Sequence, residues 1–166
     1  MPANMNSVRN LSVVIAFCWC LLSCGHLELF ENNTPIPGYK WRSDFEPGGS
    51  FAITDTTAAY TILIILRHTD AYKYNNIWLD VGIQNPGDTM FYQKVDLQLG
   101  NDASGWEGSG TNDIWEVRKP LNSKPLHLIK PGIFNFRIRQ IMRDDPLLHM
   151  MSAGLRIEKA SGSSKN

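Results

Sequence analysis

Ile77-Trp-Leu-Asp-Val-Gly-Ile-Gln-Asn-Pro-Gly-Asp-Thr-Met-Phe-Tyr-Gln-Lys-Val-Asp-Leu-Gln-Leu99 is the stretch that decides the fold. Its first half places Ile77, Leu79, Val81 and Ile83 at every second position, alternating with Trp78, Asp80, Gly82 and Gln84. Its last part sets Val95, Leu97 and Leu99 against Lys94, Asp96 and Gln98, within a strand expected over Phe91–Leu99. A period of two marks a strand with one buried face, because successive side chains point to opposite sides. Between the halves, Asn85-Pro86-Gly87-Asp88 reverses the chain, since Pro presets φ at about −65° and Gly accepts positive φ. The stretch reads as an antiparallel hairpin.

Working outward, Tyr60–Arg67 (Tyr-Thr-Ile-Leu-Ile-Ile-Leu-Arg) is apolar on both faces and reads as a central strand of packed sheets. Short strands are expected within Ser50–Asp55, over Asn112–Arg118, and over Ile133–Met142, where Phe134, Phe136, Ile138 and Met142 share a face. Leu155 and Ile157 mark the last strand. Seven or eight short strands punctuated by Gly and Pro make an all-β chain, an antiparallel β-sandwich of jelly-roll type, with a barrel as the alternative. The one helical candidate is Asp145–Ser152, where Asp can cap and Pro146 sits well in a first turn. No internal repeat is present.

The chain has 166 residues, room for one ordinary domain. Lys+Arg and Asp+Glu number 16 each, with no block of like charge, so the electrostatic footprint of a nucleic-acid binder is missing. Three cysteines, Cys18, Cys20 and Cys24, all lie near the N-terminus and cannot cross-link a whole fold. Arg9 precedes a run, Leu11–Leu22, that is apolar apart from Ser12. This is an n-region and an h-region, too short for a hydrocarbon core that needs roughly 20 helical residues. Leu21-Leu22-Ser23-Cys24-Gly25 then resembles the lipobox of bacterial lipoproteins, the other reading being an ordinary signal peptide.

The lipobox resemblance implies cleavage before Cys24, diacylglycerol on its sulfur and acylation of its new amino group. The mature chain would then hold a single, blocked cysteine and be tethered to a leaflet without spanning it. Gly25, where inner-membrane retention favours Asp, implies the outer membrane. His26-Leu27-Glu28-Leu29-Phe30-Glu31 lacks the acidic run of surface-exported lipoproteins, which implies the periplasmic face. The expected organisation is a cleaved signal at 1–23, a lipidated terminus and linker leading into the fold at 24–41, a β-sandwich at 42–159 and a disordered tail at 160–166.

Little chemistry is legible. His26, His68, His127 and His149 follow no metal-ligand spacing, and no G-x-S-x-G elbow exists. A thiol mechanism is closed if Cys24 is acylated, so no enzyme, no metal site and no cofactor are expected. In residues 100–110, Asp102 and Glu107, with Asp113 beyond, supply oxygens suited to Ca²⁺, but the spacing fits a sandwich corner better. Arg137, Arg139 and Arg143 share one strand parity, with Arg156 expected on a neighbouring strand. They offer either a docking surface for an acidic partner or a solvated face. Trp106 and Trp115 are candidates for stacking on sugar, against the commoner fate of core packing.

The chain also resembles the GldH lipoproteins of Bacteroidetes. The matching pieces are Phe51-Ala-Ile-Thr-Asp-Thr-Thr57, Leu66-Arg67-His68 with Tyr72, Tyr74 and Asn76, and Gly105-Trp-Glu-Gly-Ser-Gly110. They continue as Pro131-Gly132, Phe136, Gln140-Ile-Met-Arg143 and Gly154-Leu-Arg-Ile-Glu-Lys159, in order over residues 24–159. Glu107 departs from the apolar residue more common in the family after that Trp. The resemblance implies a palmitate-bearing lipoprotein of the cell envelope, needed for gliding motility and coupled to type IX secretion, with other gliding-machinery proteins as partners. Arg137, Arg139, Arg143 and Trp106 are the candidate contacts and Cys24 the lipid attachment. The leading role is a non-catalytic scaffold; the alternative is a carbohydrate-binding sandwich.

Overall fold

Pro86 and Gly87 turn the chain as their chemistry requires: Gly87 has φ 78°, and Asp88 N–H donates to the Asn85 carbonyl at 3.1 Å. In the computed structural model, which describes residues 30–160, the hairpin closes in register from Asn76 opposite Gln98 to Ile83 opposite Phe91. Eight strands of six residues or more carry the fold: β1 Phe30–Pro35, β2 Gly48–Ile53, β3 Ala59–Thr69, β4 Asn76–Gln84, β5 Phe91–Gln98, β6 Ile114–Pro120, β7 Gly132–Gln140 and β8 Met150–Lys159.

Pairing is nested and antiparallel: β1 with β8, β2 with β7, β3 with β6, β4 with β5. Two further ladders, β8 with β3 and β7 with β4, stitch this ribbon into sheets ordered β1-β8-β3-β6 and β2-β7-β4-β5. A doubled ribbon wrapped over itself in this order is a jelly roll, two sheets and not a closed barrel. One end of the sandwich, here the lower, holds Phe30 opposite Ile157, Ile53 opposite Gly132, and Phe91. The upper end holds Gly48, Thr69 and Met150.

The core forms where the two inner faces meet. Phe51 stacks on Phe134 with centroids 5.2 Å apart, and Phe30 meets Phe136 edge-on at 6.3 Å. Ile62, Ile64 and Leu66 of β3 face Ile77, Leu79 and Val81 of β4, all buried. β3 lies inside its sheet, as its two-faced apolarity requires: Ile65, on the outer face, is also buried.

Some expectations need correction. Asp145–Ser152 is not a helix. The Asp145–Pro146 bond is cis, Leu147–Leu148 pairs with Lys40–Trp41, His149 has φ 69°, and β8 starts at Met150. Leu147 and Met150 are buried against the core, and the Asp145 carboxylate, expected as a cap, instead accepts from Ser43 N–H at 3.0 Å and its hydroxyl at 2.5 Å. The border at residue 41 also moves. Residues 30–35 already form β1, and Trp41, fully buried, donates its indole N–H to the Phe45 carbonyl at 2.8 Å. Phe-Glu-Asn-Asn-Thr-Pro escapes an alternation search because an edge strand needs few apolar residues and tolerates Pro. Ala160 donates to the Ala59 carbonyl at 2.8 Å; 161–166 lie outside the described residues. β6 begins at Ile114 because Asn112, at φ 54°, turns the chain from Ser109–Thr111.

Candidate functional site

β3 delivers His68 to the upper end with its imidazole on the inner face, fully buried. Nδ1 lies 2.8 Å from the Thr69 carbonyl, which can only accept, so Nδ1 carries the hydrogen. Nε2 is then a lone-pair acceptor, buried without a partner. Burial pushes the His68 pKa down, opposed by the bond to Thr69, so the ring is neutral. Trp106 meets it edge-on with centroids 4.6 Å apart, and Tyr72 lies 5.5 Å away.

The cluster extends outward. Tyr72, whose phenol is raised by burial and then by Tyr74 and Asp144, donates to the Asn76 carbonyl at 3.0 Å. Tyr74 donates to Asp144 at 2.8 Å, and that bond, with Lys73 beside it, holds the carboxyl below its usual range. Tyr72, Tyr74, Asn101 and Trp106 line a shallow groove of about 320 Å³. The neutral imidazole packs against Trp106 and Tyr72 at the end of the core.

The arginines singled out by parity have unequal surroundings. Arg139 donates to the buried Asp80 at 2.5 Å and lies over the Tyr92 ring at 5.3 Å. Arg137 and Arg139 both approach Glu46, at 3.5 and 3.7 Å. Arg143 is exposed in the loop after β7. Arg156 is not on a neighbouring strand: it lies on β8 in the other sheet, paired with Glu31 at 2.9 Å and Glu158 at 3.0 Å. There it belongs to a ladder on the outer face that alternates in sign: Arg67, Glu116, Arg118, Glu31, Arg156, Glu158.

Among the described residues no three His, Cys, Asp or Glu side chains come together to hold a metal ion. Of the Ca²⁺ trio Asp102, Glu107 and Asp113, Glu107 pairs with Lys119. Trp106 and Trp115 are half-buried, the one against His68 and the other against Gly110. Cys24 and the rest of the signal region lie outside the described residues, and among those described no helix is long and apolar enough to cross a membrane.

The family model described as "GldH lipoprotein" matches residues 28–157. The chain belongs to the GldH lipoprotein family. It is 24% identical over 159 residues to "Gliding motility lipoprotein GldH" of Flavobacterium johnsoniae, covering 92% of this chain and 98% of that protein. It is 22% identical over 163 residues to "Gliding motility lipoprotein GldH homolog" of Christiangramia forsetii, covering 94% and 99%. Among solved structures, that of Cocksfoot mottle virus aligns with 85% of this chain and 88% of its own at 12% identity, with a TM-score of 0.27. So low a score adds nothing to the topology read directly from the ladders.

Some of the residues that carry the GldH resemblance come together in two groups. His68, Tyr72, Tyr74, Asn76 and Trp106 are one cluster, while Arg67, Arg156 and Glu158 belong to the ladder. Sequence reasoning missed Asp80 and Glu46 as partners of the arginines and Glu31 as the ladder's hinge. The parity of Asp80 on β4 was a usable signal for its position; no local pattern announces Glu31.

Proposed function

We propose that this GldH-family chain is a lipid-anchored component of the gliding-motility machinery, associated with type IX secretion, in which the jelly roll is a non-catalytic interaction module. The observation that carries this reading is the family match over 28–157, together with relatives named for gliding motility that align over nearly their whole length. Cys24 is the attachment point, acylated after removal of residues 1–23, and the domain stands on the periplasmic face of the outer membrane. Attachment raises the effective concentration of the domain beside its partners, so single contacts can be weak.

The partner surface in this proposal is the upper end and the adjoining part of the second sheet, with Trp106, Arg137 and Arg143 at its margin. Arg139 belongs to it chiefly as the residue that fixes Asp80 and Tyr92. Deleting the gene should abolish colony spreading, and the wild-type gene should restore it; unchanged spreading in the deletion strain overturns the reading. The Cys24→Ala protein should fail to incorporate labelled palmitate and should leave the membrane fraction.

A further inference from the structure

The lower end of the sandwich carries the most exposed large apolar side chains among the described residues. Phe91, Ile129 and Ile133 are 72%, 78% and 64% exposed there. Ile129 lies in the loop before β7, and Ile133 and Phe91 lie at the adjoining ends of β7 and β5, beside two interlocked loops. The Cβ that Gly132 lacks would stand 3.0 Å from Pro86, and Lys130 pairs with Asp88 at 2.8 Å, joining the loop before β7 to the turn before β5. Pro131 is exposed beside them. Large apolar groups held out beside a braced pair of loops mark a contact surface.

Charge is distributed to match. The two loops hold one acid–base pair, Asp88 with Lys130, and no uncompensated carboxylate at their tips. The upper loops carry Asp44, Glu46, Asp70, Asp102, Glu107, Asp113, Asp144 and Asp145 against Lys40, Arg42, Lys73 and Arg143. An acidic end is repelled by an anionic leaflet, and the apolar end is not.

Chain length selects the occupant. β1 begins at the lower end, at Phe30, and Cys24 is six Cα steps earlier, at most about 21 Å of fully extended chain. β3, with 11 residues, makes the sandwich about 36 Å long. An anchor at Cys24 therefore keeps the lower end within about 21 Å of the leaflet, and the upper end reaches the leaflet only if the domain lies on its side. The outer face of the first sheet, covered by the ion-pair ladder, is a poor competitor for lipid contact.

We propose that the tip formed by Phe91, Ile129 and Ile133 inserts into the lipid surface that holds the anchor, fixing the domain upright with its acidic end away from the membrane. This rests on the acylation of Cys24 proposed above. The test uses the mature lipoprotein reconstituted into vesicles of phosphatidylethanolamine and phosphatidylglycerol, with no other protein present. Once Cys18 and Cys20 are removed and Cys24 is acylated, Ile129→Cys provides the one free thiol for an environment-sensitive NBD label. Asp70→Cys, in an exposed upper loop, provides the comparison.

Emission from position 129 should rise several-fold and shift to the blue, and lipids carrying a nitroxide on the acyl chain should quench it; position 70 should report water. Water-like emission from position 129 on a sample whose intact mass shows acylated Cys24 overturns the insertion and favours a protein partner for the tip. An intact mass showing Cys24 unmodified overturns the anchor itself and, with it, the placement of the tip.

Discussion

Arg118 on β6 reaches across two intervening strands to Glu31 on β1, closing a 3.0 Å ion pair over the outer face of the sheet. Arg118 sits opposite Ile65, which sits opposite Gly154, so the arginine stem passes over the one outer-face aliphatic that is completely buried. A second arginine, Arg156, meets Glu31 from the adjacent strand at 2.9 Å. Glu31 thus ties the edge strand β1 directly to β8 and β6 of its sheet.

The first prediction concerns acid. The hydrogen bond from Arg156 lowers the Glu31 pKa, against burial and with help from Arg118. At Glu116 burial works in the opposite direction, but the bonds from Arg67 and Arg118 outweigh it and the pKa is again lowered. A carboxyl depressed by folding contributes stability that is complete above its unfolded value, near 4.5 here, and is lost as pH falls through the folded value. Urea midpoints should therefore decline below about pH 4.5 in the wild type and more gently in Glu31→Gln. At neutral pH that substitution should cost only about 1 kcal/mol, because the pairs are partly open to water.

A second prediction follows from how closely β1 lies against β8. A Cβ added to Gly154 would stand 1.9 Å from the Asn32 carbonyl oxygen and 2.7 Å from the Asn33 Cα. Both are backbone atoms and cannot swing aside. Gly154→Ala should push β1 off its ladder, costing on the order of 1–3 kcal/mol, and expose the chain near residue 30 to protease. Equilibrium denaturation with limited proteolysis checks both; an unchanged digestion pattern would contradict the close approach.

The third prediction concerns His68, held neutral by burial. A histidine whose pKa is lowered by folding destabilises the fold where the unfolded chain takes up a proton and the folded chain does not. Stability should be level above about pH 6.5 and fall as pH drops below it. His68→Asn should flatten this fall between pH 6.5 and 5, above the window in which the ladder carboxylates act. His68 has no charged contact in its cluster, where Thr69, Tyr72 and Trp106 surround the ring, so no neighbour should mask the change. Denaturation at several pH values, read as the difference between wild type and variant, measures it.

Particular residues show why some of this was legible in the chain and some was not. Ile77, Leu79, Val81 and Ile83 obey a local rule, alternation about a single buried face, so β4, the turn and β5 could be read without knowing any partner. β3 could be read because a central strand buries both faces. β1 could not: an edge strand with one partner needs only Phe30 inside, and its position is decided by Gly154 and Ile157, more than 120 residues away. The false helix at Asp145–Ser152 fails for the same reason. Its capping chemistry was real, but Ser43 and Trp41 claimed Asp145 and Leu147. Site residues divide likewise, since parity gave the faces of Arg137 and Arg139 while the acids that neutralise them lie on other elements.

That division yields the last prediction. Arg139 holds the carboxylate of Asp80, which is buried, so removing the arginine leaves a charge in the sheet without its partner. Arg139→Ala should cost about 1–3 kcal/mol, discounted from the cost of breaking a fully buried pair because the guanidinium is partly in water. Asp80→Asn in the same chain should recover much of the loss. Arg137 is 61% exposed at its side chain and 3.5 Å from Glu46, and Arg143 is exposed, so reversing either charge should move stability by under about 0.5 kcal/mol. If that margin of the domain binds an envelope partner, the double variant Arg137→Glu/Arg143→Glu should reduce colony spreading while folding like the wild type. Normal spreading by a stable, membrane-bound double variant would remove these two arginines from the partner surface. Loss of spreading by Arg139→Ala alone, restored with Asp80→Asn, would instead locate the requirement in the sheet's stability.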